Sequence, residues 1–314
     1  MAAPLGVRYH AVTGPRGRIP GILLAPQGVS RYCIRQMNIE QENLEVRFGA
    51  IDRSDRLTLA STFDLFQEAA INHAEALGVG RDAMVEAGQL WVLSRLSVVW
   101  DRRPAWREKI SVRTWPRGWE KLFALRDYDI RDREDRAVIH GRSCWIILDM
   151  EKRRPLRPQA LMVPLPLNEG LDAMTGIPPS LESRGDLRLL GERRALYSDV
   201  DYNGHVNNTR YIQWIQDLMD SALLEQCGRA RLDINYLGEV RPGETIELWT
   251  AEFPAEGWDW AAAFEGRRPV KPPSGGTAGL PEAPPAAVPA HGSPAFRCEL
   301  KIAARAALAL DKKD

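Results

Sequence analysis

The chain is 314 residues long and weighs 35.3 kDa, enough for about two domains and a sizeable buried core. Its 42 basic side chains balance 42 acidic ones and hydrophobic residues make up 44% of it, a soluble-globular composition that excludes a small disulfide-stapled scaffold. No basic excess is available for general nucleic-acid binding, and no apolar run approaches the ~20 residues that a membrane-spanning helix needs.

The first 39 residues hold five arginines (Arg8, Arg16, Arg18, Arg31, Arg35), no acid, and several Gly and Pro. Nothing there can bury a face, so 1–39 is expected to be a flexible arm or sequence upstream of the native start; a transit peptide is the alternative. Cys33, Cys144, Cys227 and Cys298 are scattered, without a CxxC pair or a nearby His at ligand spacing. Neither a metal site nor a disulfide framework is expected, and reduced thiols suit a cytoplasmic compartment.

From there the chain repeats itself. Laying Asp52 on Asp201 superposes two segments, each a short apolar stretch, an Asp-containing turn and a helix. Phe63, Phe66, Ala70, Ala74 and Leu77 stripe the first helix at i, i+3/i+4 spacing, and Tyr211, Ile215, Leu218 and Ala222 the second. Further on, 95–114 lies without gaps over 231–250, both alternating apolar and polar residues through two strands joined by a turn. Strands at 123–130 and 138–148 follow in the first half, and at 258–264 and 296–303 in the second. The prediction is an α+β fold in which an antiparallel sheet wraps a long helix, made twice. Proline-rich 153–191 reads as an extended interdomain linker, and 266–294, rich in Pro, Gly and Ala, as a solvated insertion between two strands.

The two copies differ where chemistry is expected. Asn203, His205 and Glu239 stand where the first copy has Ser54, Arg56 and Arg103, which points to one working site. Asp201, Asn203 and His205 alternate ahead of a helix, so an extended backbone aims all three side chains to one side, and Asn207 or Asn208 can cap that helix. Glu239, near the Arg241-Pro242-Gly243 turn, meets them if the sheet folds back over the helix. A carboxylate, an imidazole and an amide converging on an apolar cleft supply a base or nucleophile, an orienting partner and an oxyanion donor for acyl hydrolysis, without a metal or other cofactor.

At these residues the sequence resembles the acyl-ACP thioesterase family. The motifs are DYNGHVNNTRYIQWIQD from Asp201, LDINYLGEV from Leu232, LFQEAAINHAEALG from Leu65, WVLSRL from Trp91 and TWPRGWEKLFALRDY from Thr114. The resemblance implies two tandem hot-dog domains, an acyl-binding one at 40–152 and a catalytic one at 192–314. It implies hydrolysis of a fatty acyl-ACP to free acid in fatty acid biosynthesis, with Asp201, Asn203, His205 and Glu239 as the catalytic set. Glu239 would attack the thioester or activate water, His205 and Asp201 would orient and polarise it, and Asn203 would hold the carbonyl. A thiol mechanism is excluded there, because Val240 follows Glu239 and Cys227 is expected late in a helix.

Phe63, Phe66, Trp91 and Trp145 are the implied acyl-tunnel residues, with ordinary core packing as the alternative. His73 is expected to be a buried, hydrogen-bonded histidine. The acidic carrier protein implied as partner needs a basic face, for which Arg102, Arg103, Arg107 and Arg117 are candidates, Lys152, Arg153 and Arg154 forming a second cluster. Neither nucleic acid nor membrane is expected as a partner, and a homodimer is compatible with the chain. An acyl-CoA thioesterase on the same fold and a non-catalytic acyl-binding regulator remain alternatives.

Overall fold

The computed structural model describes residues 38–168, 170–269 and 292–304. Most of the expected arm and of the insertion, with Cys33, lies outside them. Ten antiparallel strands form one sheet: β1 (Glu40–Glu45), β2 (Gln89–Trp100), β3 (Lys109–Glu120), β4 (Phe123–Arg131), β5 (Ala137–Asp149), β6 (Arg188–Arg194), β7 (Cys227–Tyr236), β8 (Thr245–Glu252), β9 (Trp260–Arg267) and β10 (Pro294–Ala304). Their order is β1-β3-β4-β5-β2-β7-β10-β9-β8-β6, so each half contributes five strands and the halves join at β2 and β7.

The sequence repeat becomes a pseudo-two-fold axis at that seam. Ser97 and Asp233, equivalent residues of the two copies, face each other in the β2–β7 ladder, and Ser97 Oγ donates to Asp233 Oδ1 at 2.5 Å. Equivalent hydrogen bonds recur away from the axis: Thr114 Oγ1 donates to Asp127 O at 2.9 Å, and Thr250 Oγ1 to Ala263 O at 3.0 Å.

Each half wraps its sheet around one main helix. The first is α1 (Leu59–Ala76), opened by Thr58, whose hydroxyl accepts from Ser61 N–H at 2.9 Å, and followed by α2 (Arg81–Glu86). The second is α3 (Asn208–Leu218), capped by Asn207 accepting from Thr209 N–H at 3.0 Å, and followed by α4 (Ser221–Glu225). The stripe read through Ala222 crosses a break, because Met219 is extended and Asp220 caps a new helix. Phe66 stacks on Tyr128 with ring centroids 4.5 Å apart, and Tyr211 packs on Phe296 at 4.9 Å, so both helices bury aromatic residues against the sheet.

Three expectations need adjusting. Gly266, Arg267 and Pro294 belong to strands, and Arg268 N–H donates to Ser293 O at 3.3 Å, so any insertion between β9 and β10 is shorter than 266–294. Likewise, β6 opens at Arg188, before the expected boundary at 192. Cys227 opens β7 and is buried there, so it is not late in a helix. The segment between β5 and β6 is tied to the sheet face opposite the helices. Trp115 Nε1 donates to Leu171 O at 2.9 Å, Arg142 Nη1 to Gly176 O at 2.6 Å and Asn235 Nδ2 to Pro179 O at 2.9 Å.

Candidate active site

Two turns of one design begin the helices. In the first, Asp52 N–H donates to Arg56 O at 2.9 Å and Asp55 N–H to Asp52 O at 3.0 Å, with Asp55 at φ 62°. In the second, Asp201 N–H donates to His205 O at 2.9 Å and Gly204 N–H to Asp201 O at 3.0 Å, with Gly204 at φ 79°. The chain at 201–205 therefore reverses, and the expected extended segment with three side chains on one side is not formed. Left-handed backbone is what Gly204 supplies, a conformation that Asp in the first copy also tolerates.

The loops after β2 and β7 then close on these turns. Leu57 N–H donates to Pro104 O and Val206 N–H to Val240 O, both at 2.8 Å. These bonds set Arg103 beside the first turn and Glu239 beside the second. Arg103 forms a salt bridge with Asp52 and donates to Ser54 Oγ at 3.2 Å and Leu224 O at 2.7 Å, its side chain only 1% exposed. Burial works against the ionised Asp52, but hydrogen bonds from Ser54 and Arg103 outweigh it and lower its pKa. The first copy is thus sealed as an internal ion pair.

The second copy is open. His205 Nε2 lies 3.1 Å from Glu239 Oε2, with side chains 28% and 44% exposed. Arg153, from the turn after β5, reaches Glu239 Oε1 at 3.2 Å, and Arg268 donates to the Glu239 main-chain carbonyl. Asp201 accepts from Asn203 N–H at 2.8 Å and Nδ2 at 3.4 Å, so these two pair with each other, joined to His205 through the turn backbone. The Arg81 guanidinium sits 4.6 Å from the centre of the Tyr202 ring, a second contact from the first half onto this turn.

Between α1, the start of α3 and the sheet lies a narrow cavity of about 20 Å³, room for a single water. Phe63, Phe66, Leu93, Leu96, Tyr128 and Trp145 line it together with Asn208, Thr209 and Tyr236; along the chain His205 is three positions before Asn208 and Glu239 three after Tyr236. Three of the four expected tunnel residues are there. Trp91 is not: it packs with Val79, Met84 and Ile147 and donates from Nε1 to Val79 O at 3.0 Å, which holds it in a separate small core.

The four candidate carrier-binding arginines do not form one face. Arg103 is corrected outright, since its buried charge is spent on Asp52. Arg102 is held by Glu108 at 2.6 Å and Asp132 at 3.2 Å, and Arg107 is exposed and stacked on Trp106 at 4.3 Å. All three follow β2, whereas Glu239 follows β7, which runs the other way. The shared ladder from Arg95 to Trp100 separates these ends by roughly 17 Å at ~3.3 Å per residue. Arg117, on β3, is separated from β7 by three intervening strands and is bound to Asp172 at 2.6 Å.

Arg268 and Thr209 carry no signal in the sequence, and Arg153, expected there only as part of a basic cluster, has a different place. Arg153 and Arg268 touch Glu239, and Thr209, which lines the cavity, has a buried hydroxyl with no hydrogen-bond partner among the described residues. Spacing gives no signal for contacts set by sheet register. Among the described residues, no group of three or more His, Cys, Asp or Glu is placed to hold a metal ion.

The chain matches the acyl-ACP thioesterase N-terminal domain over residues 37–160 and the acyl-ACP thioesterase C-terminal domain over 191–266. It is 25% identical over 257 residues to the chloroplastic palmitoyl-acyl carrier protein thioesterase of Cuphea hookeriana, an alignment covering 76% of this chain and 60% of that protein. With oleoyl-acyl carrier protein thioesterase 2 of Arabidopsis thaliana it shares 25% over 242 residues, covering 69% of this chain and 64% of that one. The chain thus spans about three fifths of the length of these relatives.

Among solved structures, an acyl-ACP thioesterase from Bacteroides thetaiotaomicron superposes with TM-score 0.67 at 23% identity, covering 85% of this chain and 98% of that chain. The 12:0-ACP thioesterase from Umbellularia californica gives 0.64 at 17%, covering 85% and 98%. These likenesses establish the fold, two tandem hot-dog domains sharing one sheet. With domain models matched in order across both halves, the chain belongs to the acyl-ACP thioesterase family.

Proposed function

We propose that this protein hydrolyses fatty acyl-ACP to free fatty acid and holo-ACP, with Asp201, Asn203, His205 and Glu239 as its catalytic set and no cofactor. One observation carries the reading: a carboxylate and an imidazole lie 3.1 Å apart, each three positions along the chain from a residue, Tyr236 or Asn208, that lines an apolar cavity between α1 and the sheet. Family membership supplies the substrate class.

In this reading the thioester carbonyl lies beside Glu239 with the acyl chain directed past Phe66 toward Trp145. Glu239 either bonds the carbonyl carbon itself, giving an anhydride that water then cleaves, or takes a proton from the water that attacks. In both routes the C–S bond breaks, the thiolate receives a proton through His205, and water's oxygen ends in the acid. Asp201 and Asn203 hold the turn that presents His205. Thr209 Oγ, left without a partner, is available to a substrate oxygen, since a buried hydroxyl gains most from the bond it lacks. The cavity holds only one water, so side chains lining it must move before an acyl chain enters.

Release of free acid across an acyl-ACP length series, with the same chains presented on CoA, tests this. Turnover with the carrier favoured is expected. A clear preference for CoA would make the protein an acyl-CoA thioesterase, and binding without release would make it an acyl-binding regulator. A cytoplasmic location and a homodimer are expectations that go with this reading, checked by cell fractionation and light scattering.

A further inference from the structure

We infer that Arg153 is a positioning residue for Glu239, so that the hydrolytic site is completed by the first half of the chain. The inference rests on the reading of Glu239 as the reacting carboxylate. Glu239 sits in a loop beyond the end of β7, where no ladder fixes its side chain. Its two oxygens are nevertheless both engaged, Oε2 with His205 at 3.1 Å and Oε1 with Arg153 at 3.2 Å.

The turn that carries Arg153 is built to aim it. Asp149 Oδ1 accepts from Glu151 N–H at 3.0 Å and Lys152 N–H at 2.8 Å, Arg153 N–H donates to Asp149 O at 2.9 Å, and Asp149 N–H donates to Arg154 O at 2.9 Å. Arg153 itself has φ 53°, the left-handed region where glycine is easier than any branched or long side chain. An arginine here is unfavourable for the backbone, and as a half-exposed ion pair it adds little to stability. What it does supply is a second anchor on a carboxylate that must meet both imidazole and thioester in one orientation. In the first copy the equivalent position, Arg103, carries its own cation and needs no such partner. Arg268, which approaches Glu239 only at its main-chain carbonyl and also faces Glu244 at 3.8 Å, fixes the loop rather than the carboxylate.

The test uses the full chain with acyl-ACP and four variants: Arg153→Gly, Arg153→Lys, Arg154→Ala and Glu239→Gln. Arg153→Gly removes the guanidinium while easing the backbone. It should lower kcat about 10- to 100-fold, as loss of a positioning contact does, with KM and thermal midpoint nearly unchanged. Arg153→Lys should recover most of that loss, Arg154→Ala should keep kcat whatever it does to KM, and Arg153→Gly should add nothing to Glu239→Gln. Equal rises in KM for Arg153→Gly and Arg154→Ala, with kcat kept, would make the turn a carrier-docking patch and overturn the inference. Full activity of Arg153→Gly beside an inactive Glu239→Gln would overturn it while leaving the proposed function standing. Full activity of Glu239→Gln would remove the reading of the site, and the inference with it.

Discussion

Arg103 and Glu239 occupy the same place in two copies of one turn-and-loop arrangement, and their exchange leaves the first copy sealed by a buried ion pair and the second open to solvent. The buried Arg103 offsets Asp52, and removing it leaves that carboxylate unpaired in a half-buried turn. Arg103→Ala is expected to cost about 3 kcal/mol in urea unfolding, the scale for a broken buried pair, with the activity per folded molecule retained. Thr209→Val, which keeps the shape and drops the unpartnered hydroxyl, should leave stability unchanged or higher while lowering kcat/KM several-fold.

His73 is buried, and that burial, with the Arg126 guanidinium 3.1 Å from Nδ1, lowers its pKa to about 4 from 6.5. The folded chain therefore keeps His73 neutral while the unfolded chain takes up a proton below pH 6.5. The stability due to this residue is full above that pH and drains as pH falls toward 4, by on the order of 3 kcal/mol. Urea midpoints measured from pH 7 to 4 should show this decline, and His73→Gln should flatten it. A decline of the same size in the variant would assign it to other groups. The sequence marked His73 as buried and hydrogen-bonded; Arg126 proves to be its partner at Nδ1, while Nε2 has none among the described residues.

At the scale of elements, periodicity and capping residues carried most of the information. The i, i+4 stripe of α1, the Asn207 cap and the alternation in the β2–β3 and β7–β8 pairs were all legible because each is a local pattern. The break after Leu218 was not, since Ala222 continues the stripe in register and only Asp220 signals a new start. The Asp-containing turn before α3 was legible too, but not that it reverses at 201–205, because Asp, Asn and His at alternate positions also suit an extended segment with one shared face. Close packing of helix on sheet depends on a residue with no pattern at all: a Cβ added at Gly141 would fall 2.5 Å from the Phe66 ring. Gly141→Ala should displace that ring toward the cavity, destabilising the fold by about 1–3 kcal/mol and shifting turnover toward shorter acyl chains. An unchanged chain-length profile on acyl-ACP substrates would show that Phe66 does not bound the acyl site.

Across the whole molecule, the internal repeat was the signal from which the pseudo-two-fold axis could be anticipated, and the seam at Ser97 and Asp233 follows from the same alignment. What the repeat could not show is where the ends of the strands lie. The arginines after β2 were grouped with the site because they are basic and close in sequence, yet antiparallel pairing of β2 with β7 carries them to the far end of the sheet. By the same pairing, Arg153 arrives beside Glu239 across 86 positions of sequence.

In the proposed function, thioester hydrolysis depends on Glu239, brought onto His205 by the loop after β7. Single-turnover release of acid from an acyl-ACP, with Glu239→Gln set against the unaltered protein, tests it most directly. The rate should fall about 10³-fold or more with carrier binding and the unfolding midpoint preserved; hydrolysis at an undiminished rate in the folded variant would remove Glu239 from the reaction.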